Sequence, residues 1–146
     1  MVDVEQVLDR NRKAFNARDM DGYLANQTPD VSLILPGGIT LSGRDEMKGY
    51  VGALWEAFPD GRLTFGDQVL SEDAAATELV FTGTHSGPLE TPTGPIAPTG
   101  KKVSLHSVSL LRIKDGHVAS ERNYGDSLEL MAQLGLAGGP GPGEQL

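Results

Sequence analysis

Residues 3–17 place Val4, Val7, Leu8 and Phe15 on one stripe at three-and-four spacing, the signature of an amphipathic helix, and Asp3 stands where an N-cap belongs. Asp19-Met20-Asp21-Gly22 opens a short second helix through Tyr23 and Leu24. Val31 to Leu35 reads as a strand closed by the Pro36-Gly37-Gly38 turn, and Ile39 to Leu41 returns beside it as a hairpin. Ser42 then caps a third helix. Its wide apolar face is Met47, Tyr50, Val51, Leu54, Trp55 and Phe58, and Pro59-Asp60-Gly61 ends it.

Beyond Gly61 the period changes from helical to alternating. Leu63, Phe65 and Val69, then Leu79 and Phe81, predict strands over 62–71 and 74–85. Gly87 to Gly100 holds four prolines and three glycines and is predicted to be a loop. Strands over 101–113 and 117–125 follow, joined by the Lys114-Asp115-Gly116 turn, and a short helix over 127–134 stops at Gly135. The tail from 136 to 146, GLAGGPGPGEQL with the preceding Gly135, has no core-forming pattern and is expected to be disordered. Three helices interleaved with a hairpin, then four meandering strands, make one α+β domain over residues 1–135.

Composition narrows the field. A chain of 146 residues suits one domain, and 38% hydrophobic with 22% charged residues is ordinary globular material. A formal net charge of -8 repels phosphate, so nucleic acid and anionic membranes are poor partners. No apolar run approaches the roughly 18 residues of a membrane span. The acidic, amphipathic start lacks the basic and apolar stretches of a secretory signal. With no cysteine there are no disulfides, thiolate sites or cysteine nucleophiles, and the cytoplasm is the default compartment. His85, His106 and His117 are scattered, none at ligand spacing, so no metal and no cofactor is expected.

The strand Lys102–Ile113 decides where a pocket lies. One parity is Val103, Leu105, Ser107, Ser109, Leu111 and Ile113; the other is Ser104, His106, Val108, Leu110 and Arg112. Two packings fit. In one, the first face covers a solid core and its serines bond nearby backbone, with the second face in water. In the other, the sheet curls so that Ser107 and Ser109 line a cavity, and Val108 and Leu110 meet a second subunit. Glu121 and Asn123 share a parity on the last strand, and periodicity alone does not say which way they face.

Six short segments, in order, carry a family likeness. They are Ala14-Phe15-Asn16, Ala57-Phe58-Pro59-Asp60, the run from Thr82 to Leu89 (TGTHSGPL), the run from Pro98 to Val103 (PTGKKV), Asp115-Gly116-His117-Val118, and Gln133-Leu134-Gly135. With them the chain resembles the SnoaL-like polyketide cyclases, or ester cyclases, of the nuclear-transport-factor-2-like fold. The resemblance implies a cone-shaped α+β barrel, a curved antiparallel or mixed sheet on three N-terminal helices, and a homodimer through the outer sheet face. It implies a small hydrophobic or aromatic, polyketide-like ligand, with Phe15 and Tyr50 as pocket residues and Ser107 and Ser109 inside; Trp55, on the same helical stripe as Tyr50, either reaches the cavity as well or packs in the core. It further implies intramolecular aldol cyclisation without a cofactor, using a carboxylate on the last strand and a histidine on the strand before it.

Counted back from Gln133-Leu134-Gly135, those two positions hold Asn123 and Ser109. A carboxamide accepts no proton at neutral pH, and losing a general base forfeits about 10²–10⁴ in rate. Glu121 and Asp126 are the carboxylates that can substitute. Glu121 is alternatively paired with a basic side chain, and Asp126 alternatively caps the last helix. His85 approaches a pocket mouth or is a structural histidine; His106 falls on the dimer face. Three functions remain open: a cofactor-free cyclase, a non-catalytic binder of a hydrophobic metabolite, and a hydroxylase- or epoxide-hydrolase-type reaction. The last needs an Asp–Arg–Asp-like arrangement, whereas Arg112 and Arg122 lie on the parity away from the presumed pocket.

Overall fold

The computed structural model describes residues 3–91 and 93–136. Its helices are α1 (Val4–Asn16), α2 (Met20–Ala25), α3 (Gly43–Ala57) and α4 (Ser127–Gln133). Its strands are β1 (Gln27–Leu35), β2 (Ile39–Ser42), β3 (Arg62–Leu70), β4 (Ala74–Thr84), β5 (Leu89–Thr91), β6 (Gly94–Ile96), β7 (Lys102–Lys114) and β8 (His117–Gly125). Six strands form one sheet in the order β2-β1-β8-β7-β4-β3, antiparallel except for the parallel pair β1–β8. The helices pack on its concave side, and the result is a cone-shaped α+β barrel.

The helical stripe is the core. Val4, Val7, Leu8 and Phe15 of α1 are all buried, together with Tyr23, Met47 and Val51 from α2 and α3. Asp3 caps α1 by accepting from the Glu5 amide, and Asp19 caps α2 by accepting from Gly22. Ser42 occupies the N-cap of α3 but makes no side-chain cap bond. Instead its amide donates to Glu46 Oε1 at 2.7 Å, four residues on in the first turn.

Two expectations need correction. β1 begins at Gln27 rather than Val31, because a bulge between Gln27 and Ser32 absorbs Pro29, which has no amide to give a regular ladder. The loop 87–100 contains the β5–β6 hairpin, paired through Leu89–Ile96, Glu90–Pro95 and Thr91–Gly94. Its tight reversal uses Gly94 at φ 116°, a conformation closed to other residues, and its prolines hid so short a ladder from the alternation pattern. The tail expectation falls outside the described residues from 137 onward. Leu136 is described: its amide bonds Met131 O while that of Gly135 (φ 77°) bonds Ala132 O, a glycine stop at the expected place.

Where β8 ends, α4 continues its work. Beyond the Ser107–Gly125 pair the edge of β7 is free of strand partners. Glu129 Oε1 accepts from the His106 amide at 2.8 Å, while Gln133 accepts from the Ser104 amide and donates back to Ser104 O. Chiefly that amide bond holds the Glu129 carboxyl below the usual glutamate range. A depressed carboxylate contributes stability that is present above its unfolded pKa and is lost as pH falls through its folded value. Protection of the His106 amide from hydrogen exchange should therefore fall at acid pH below the ordinary glutamate range, and Glu129→Ala should remove it at neutral pH. Unchanged protection in that variant would mean that the Glu129 bond is not what secures the His106 amide, and that Gln133 and apolar contacts hold α4 on β7.

Candidate functional site

Between sheet and helices lies a cavity of about 490 Å³. From the helices it is lined by Leu8, Phe15, Tyr23, Tyr50 and Leu54, and from the sheet by Phe65, Leu79, Phe81, Leu105 and Leu111. Its mouth is bounded by Pro36 of the β1–β2 turn, the β5–β6 hairpin and α4. The sheet therefore curls, and Ser107 and Ser109 line the cavity rather than a solid core. Ser109 is fully buried on the concave face, while Val108 is 40% exposed on the convex one.

On this apolar wall sits one polar row. Asn123 Nδ2 donates to Ser107 Oγ at 3.1 Å and to Ser109 Oγ at 2.8 Å, and Ser109 Oγ donates to Glu121 Oε2 at 2.6 Å. The pairings Ser109–Asn123 and Leu111–Glu121 produce it, since directly opposed side chains on one face are in bonding range. Each bond has a fixed polarity. Both amide hydrogens of Asn123 are committed to serines, so Asn123 orients Ser109 rather than donating to a ligand itself. Thr77 of β4, opposite Ser109, extends the row toward β3 through its bond from Gln68 Nε2.

Glu121 has no basic partner among the described residues. Burial pushes its carboxyl above the usual range, and the Ser109 hydroxyl only partly opposes this. The same burial, with the charge of Glu121 added, pushes the Tyr50 phenol up to about 12 and raises that of Tyr23 as well. Tyr23 and Tyr50 thus face a shared acidic neighbour across the cavity. A carboxyl poised this way is suited to taking and returning a proton.

The other sequence candidates separate. Phe15, Tyr50, Ser107, Ser109, Glu121 and Asn123 meet at the cavity. Asp126 lies at the rim, accepting from the Leu128 amide at 2.9 Å as the cap of α4. His106 is also at the rim, with Nδ1 3.2 Å from Glu129 Oε2. Trp55 does not line the cavity: it packs 5.6 Å from Phe15, with the Arg18 guanidinium over its ring. Nor does His85, which is fully buried against Phe58 and accepts at Nδ1 from the Thr99 amide, pinning the segment after β6. Its placement corrects the pocket-mouth expectation, because the β5–β6 hairpin occupies that place. Sequence reasoning missed Tyr23, Asn11 and Thr77. Thr77 shares the parity of Leu79 and Phe81 and was findable; Tyr23 lies in a six-residue helix too short to show a face. Among the described residues no group of three or more His, Cys, Asp or Glu side chains is placed to hold a metal ion.

This geometry has a family. The SnoaL family, described as SnoaL-like polyketide cyclase, matches residues 5–134. The chain belongs to the SnoaL-like polyketide cyclases. Solved SnoaL-like and related structures superpose over nearly its full length. A candidate SnoaL-like polyketide cyclase from Jannaschia sp. CCS1 is 20% identical, covers 93% of this chain and 92% of its own, and has a TM-score of 0.79. IdmH from Streptomyces antibioticus, a candidate polyketide cyclase, is 27% identical over 90% of this chain and 97% of its own, with a TM-score of 0.75. AclR from Streptomyces galilaeus, a candidate hydroxylase, is also 27% identical, over 90% of this chain and 84% of its own, at a TM-score of 0.76. No curated protein matches the chain. Within the SnoaL-like frame the amide at Asn123 has a testable consequence. Asn123→Asp would remove two donors and set a second carboxylate against Ser109. Like charges disfavour joint ionisation, so the pH at which Glu121 ionises should rise, read by carboxyl carbon NMR. A lower value in the variant would refute the relay.

Proposed function

We propose that this SnoaL-like protein binds a small, largely apolar, polyketide-like molecule in the cavity and closes a ring in it by intramolecular aldol condensation, with Glu121 as general base. The supporting observation is the Glu121 carboxylate itself, which lines the cavity half-buried, is raised above its usual range by desolvation, and is held by the Ser109–Asn123 row. In this reading Glu121 removes a proton from carbon between two carbonyls. The electron pair passes to the enolate, which attacks the distant carbonyl, and Glu121 returns the proton to the new alkoxide. Apolar walls exclude water from the enolate. The experiment is solvent-deuterium exchange at C2 of ethyl benzoylacetate, a 1,3-dicarbonyl probe, followed by proton NMR: acceleration by the wild-type chain supports the reading, and none rejects it.

A binding protein without catalysis is the second reading, favoured by the amide at Asn123 in the family's carboxylate position. An epoxide-hydrolase-type site has less support, since Arg112 and Arg122 are exposed and lie on the convex parity. The homodimer belongs to the same proposal. Val69, Val108 and Tyr124, respectively 74%, 40% and 57% exposed, share the convex face, more apolar surface than a lone subunit gains from showing. Val108→Asp should convert a dimer into a monomer in sedimentation velocity, and a wild-type monomer would remove the idea. Residence in the cytoplasm is likewise proposed, for a chain with no cysteine to oxidise.

A further inference from the structure

A transverse line of polar side chains crosses the sheet, one from each of four strands. Asn123 of β8 pairs with Ser109 of β7, Ser109 with Thr77 of β4, and Thr77 with Gln68 of β3. Gln68 joins the line only through a bulge. Gly66 and Asp67 together oppose Glu78, so Gln68 rather than Asp67 takes the concave parity of Leu63 and Phe65. The bulge is fastened from the convex side. There Glu78 Oε1 accepts from the Asp67 amide at 3.0 Å, and a Cβ on Gly66 would lie 3.1 Å from the same oxygen. Gln68 Nε2 then donates to Thr77 Oγ1 at 3.2 Å. An amide nitrogen only donates, so the Thr77 oxygen accepts and its own hydrogen is left over. Among the described residues nothing accepts that hydrogen. Ser109, directly opposite, is committed to Asn123 and Glu121, and Leu79, next on the same face of β4, is apolar. Thr77 is 1% exposed yet lines the cavity, so its hydrogen has only the cavity to turn to.

We propose that Thr77 is a specificity-determining residue, the hydrogen-bond donor to a second oxygen of the ligand, and that Gln68 is its positioning residue. Two strand spacings, about 10 Å, separate β4 from β8 and Glu121. The ligand class this selects is an apolar molecule oxygenated at two places. One is the dicarbonyl within reach of Glu121, and the other is an acceptor oxygen on the β4 side. A hydrocarbon in that second place leaves a buried hydroxyl without a partner, so the site rejects the analogue that lacks the oxygen. The assignment rests on the proposed reaction only for setting the dicarbonyl at Glu121.

Its test is equilibrium binding of two matched probes to the full chain. Ethyl 4-acetylbenzoylacetate carries the dicarbonyl and a remote carbonyl. In ethyl 4-isopropenylbenzoylacetate a methylene replaces the remote oxygen and the shape is kept. Wild type should prefer the acetyl probe. Thr77→Val keeps the branched side chain and loses the hydroxyl. It should lower acetyl affinity roughly fivefold, the loss of a neutral hydrogen bond, and change isopropenyl affinity by less than about twofold. Gln68→Glu puts acceptors where the amide donor stood, so the Thr77 hydrogen turns away from the cavity. It should cost as much acetyl affinity as Thr77→Val. A merely structural role would move both probes together. A wild type without preference for the acetyl probe, or an unchanged ratio of the two affinities in either variant, would overturn the assignment. If Thr77→Val does not fold, Gln68→Glu decides alone. Failure of Glu121 as base would show instead as exchange activity surviving Glu121→Gln, leaving these ratios untouched.

Discussion

Glu121→Gln should reduce deuterium exchange of the 1,3-dicarbonyl probe by about 10²–10⁴-fold, the usual worth of a general base. The amide is isosteric and still accepts from Ser109, so the cavity keeps its shape. Asp126→Asn, altering a helix cap at the rim, should stay within about twofold of wild type, because Asp126 spends itself on the Leu128 amide. The same substitution at Glu121 has the opposite effect on stability. A carboxyl raised by burial binds its proton more tightly in the folded chain than in the unfolded one. Between the unfolded pKa and the raised folded one, the native state therefore holds more protons, and stability falls as pH climbs through that window. Above the window wild type carries the whole cost of a buried charge, and Glu121→Gln carries none. Urea midpoints of the variant should exceed those of wild type at neutral pH and vary less with pH. A site that loses activity and gains stability together is one kept for function rather than for folding. Equal exchange rates in wild type and Glu121→Gln would instead favour the binding protein.

Phe58→Ala should be the most destabilising of the core truncations, at about 3–5 kcal/mol. Phe58 is 1% exposed at the end of α3 and stands edge-on to Phe81, with centroids 5.3 Å apart, and against His85 at 5.6 Å. It joins the helical layer, the sheet and the pinned segment around Thr99 in one contact. Two glycines are there to admit these rings: a Cβ on Gly61 would lie 2.7 Å from Phe81 Cζ, and one on Gly83 3.1 Å from Phe58 Cβ. Backbone so closely applied cannot collapse to fill a lost ring, which places the cost toward the upper end. Domains of this kind are stable by about 5–15 kcal/mol, so the loss is a large share of the whole. The urea midpoint should fall with the slope unchanged, and Phe58→Leu should recover part of it. A loss below about 1 kcal/mol would show that the ring does not knit the layers together.

What the sequence made legible follows from how local each signal is. The α1 stripe was readable because four apolar residues repeat at helical spacing within fifteen positions, and their burial matches that reading residue by residue. The end of α4 was readable because Gly135 is the kind of residue that stops a helix. β7 was not readable in the same way: aliphatic residues stand on both of its faces, and only the curl of the sheet makes Ser107 and Ser109 inward. Glu121 and Asn123 could be placed on one parity, but the amide's role could not. That role depends on which serines it reaches across a strand pair, and both of its hydrogens turn out to be spent on them. The raised carboxyl of Glu121 depends on its desolvation inside the assembled cavity, and it in turn raises Tyr23 and Tyr50, brought from separate helices far away in the chain. Electrostatic environment is a property of the assembled cavity, and no spacing rule encodes it.

The pH–rate profile of probe exchange tests the central claim most directly. With Glu121 as the base, the wild-type rate should rise along a limb whose midpoint lies above the ordinary glutamate range, and that limb should be missing in Glu121→Gln. A limb within the ordinary carboxylate range, or the same limb in both proteins, would contradict the account.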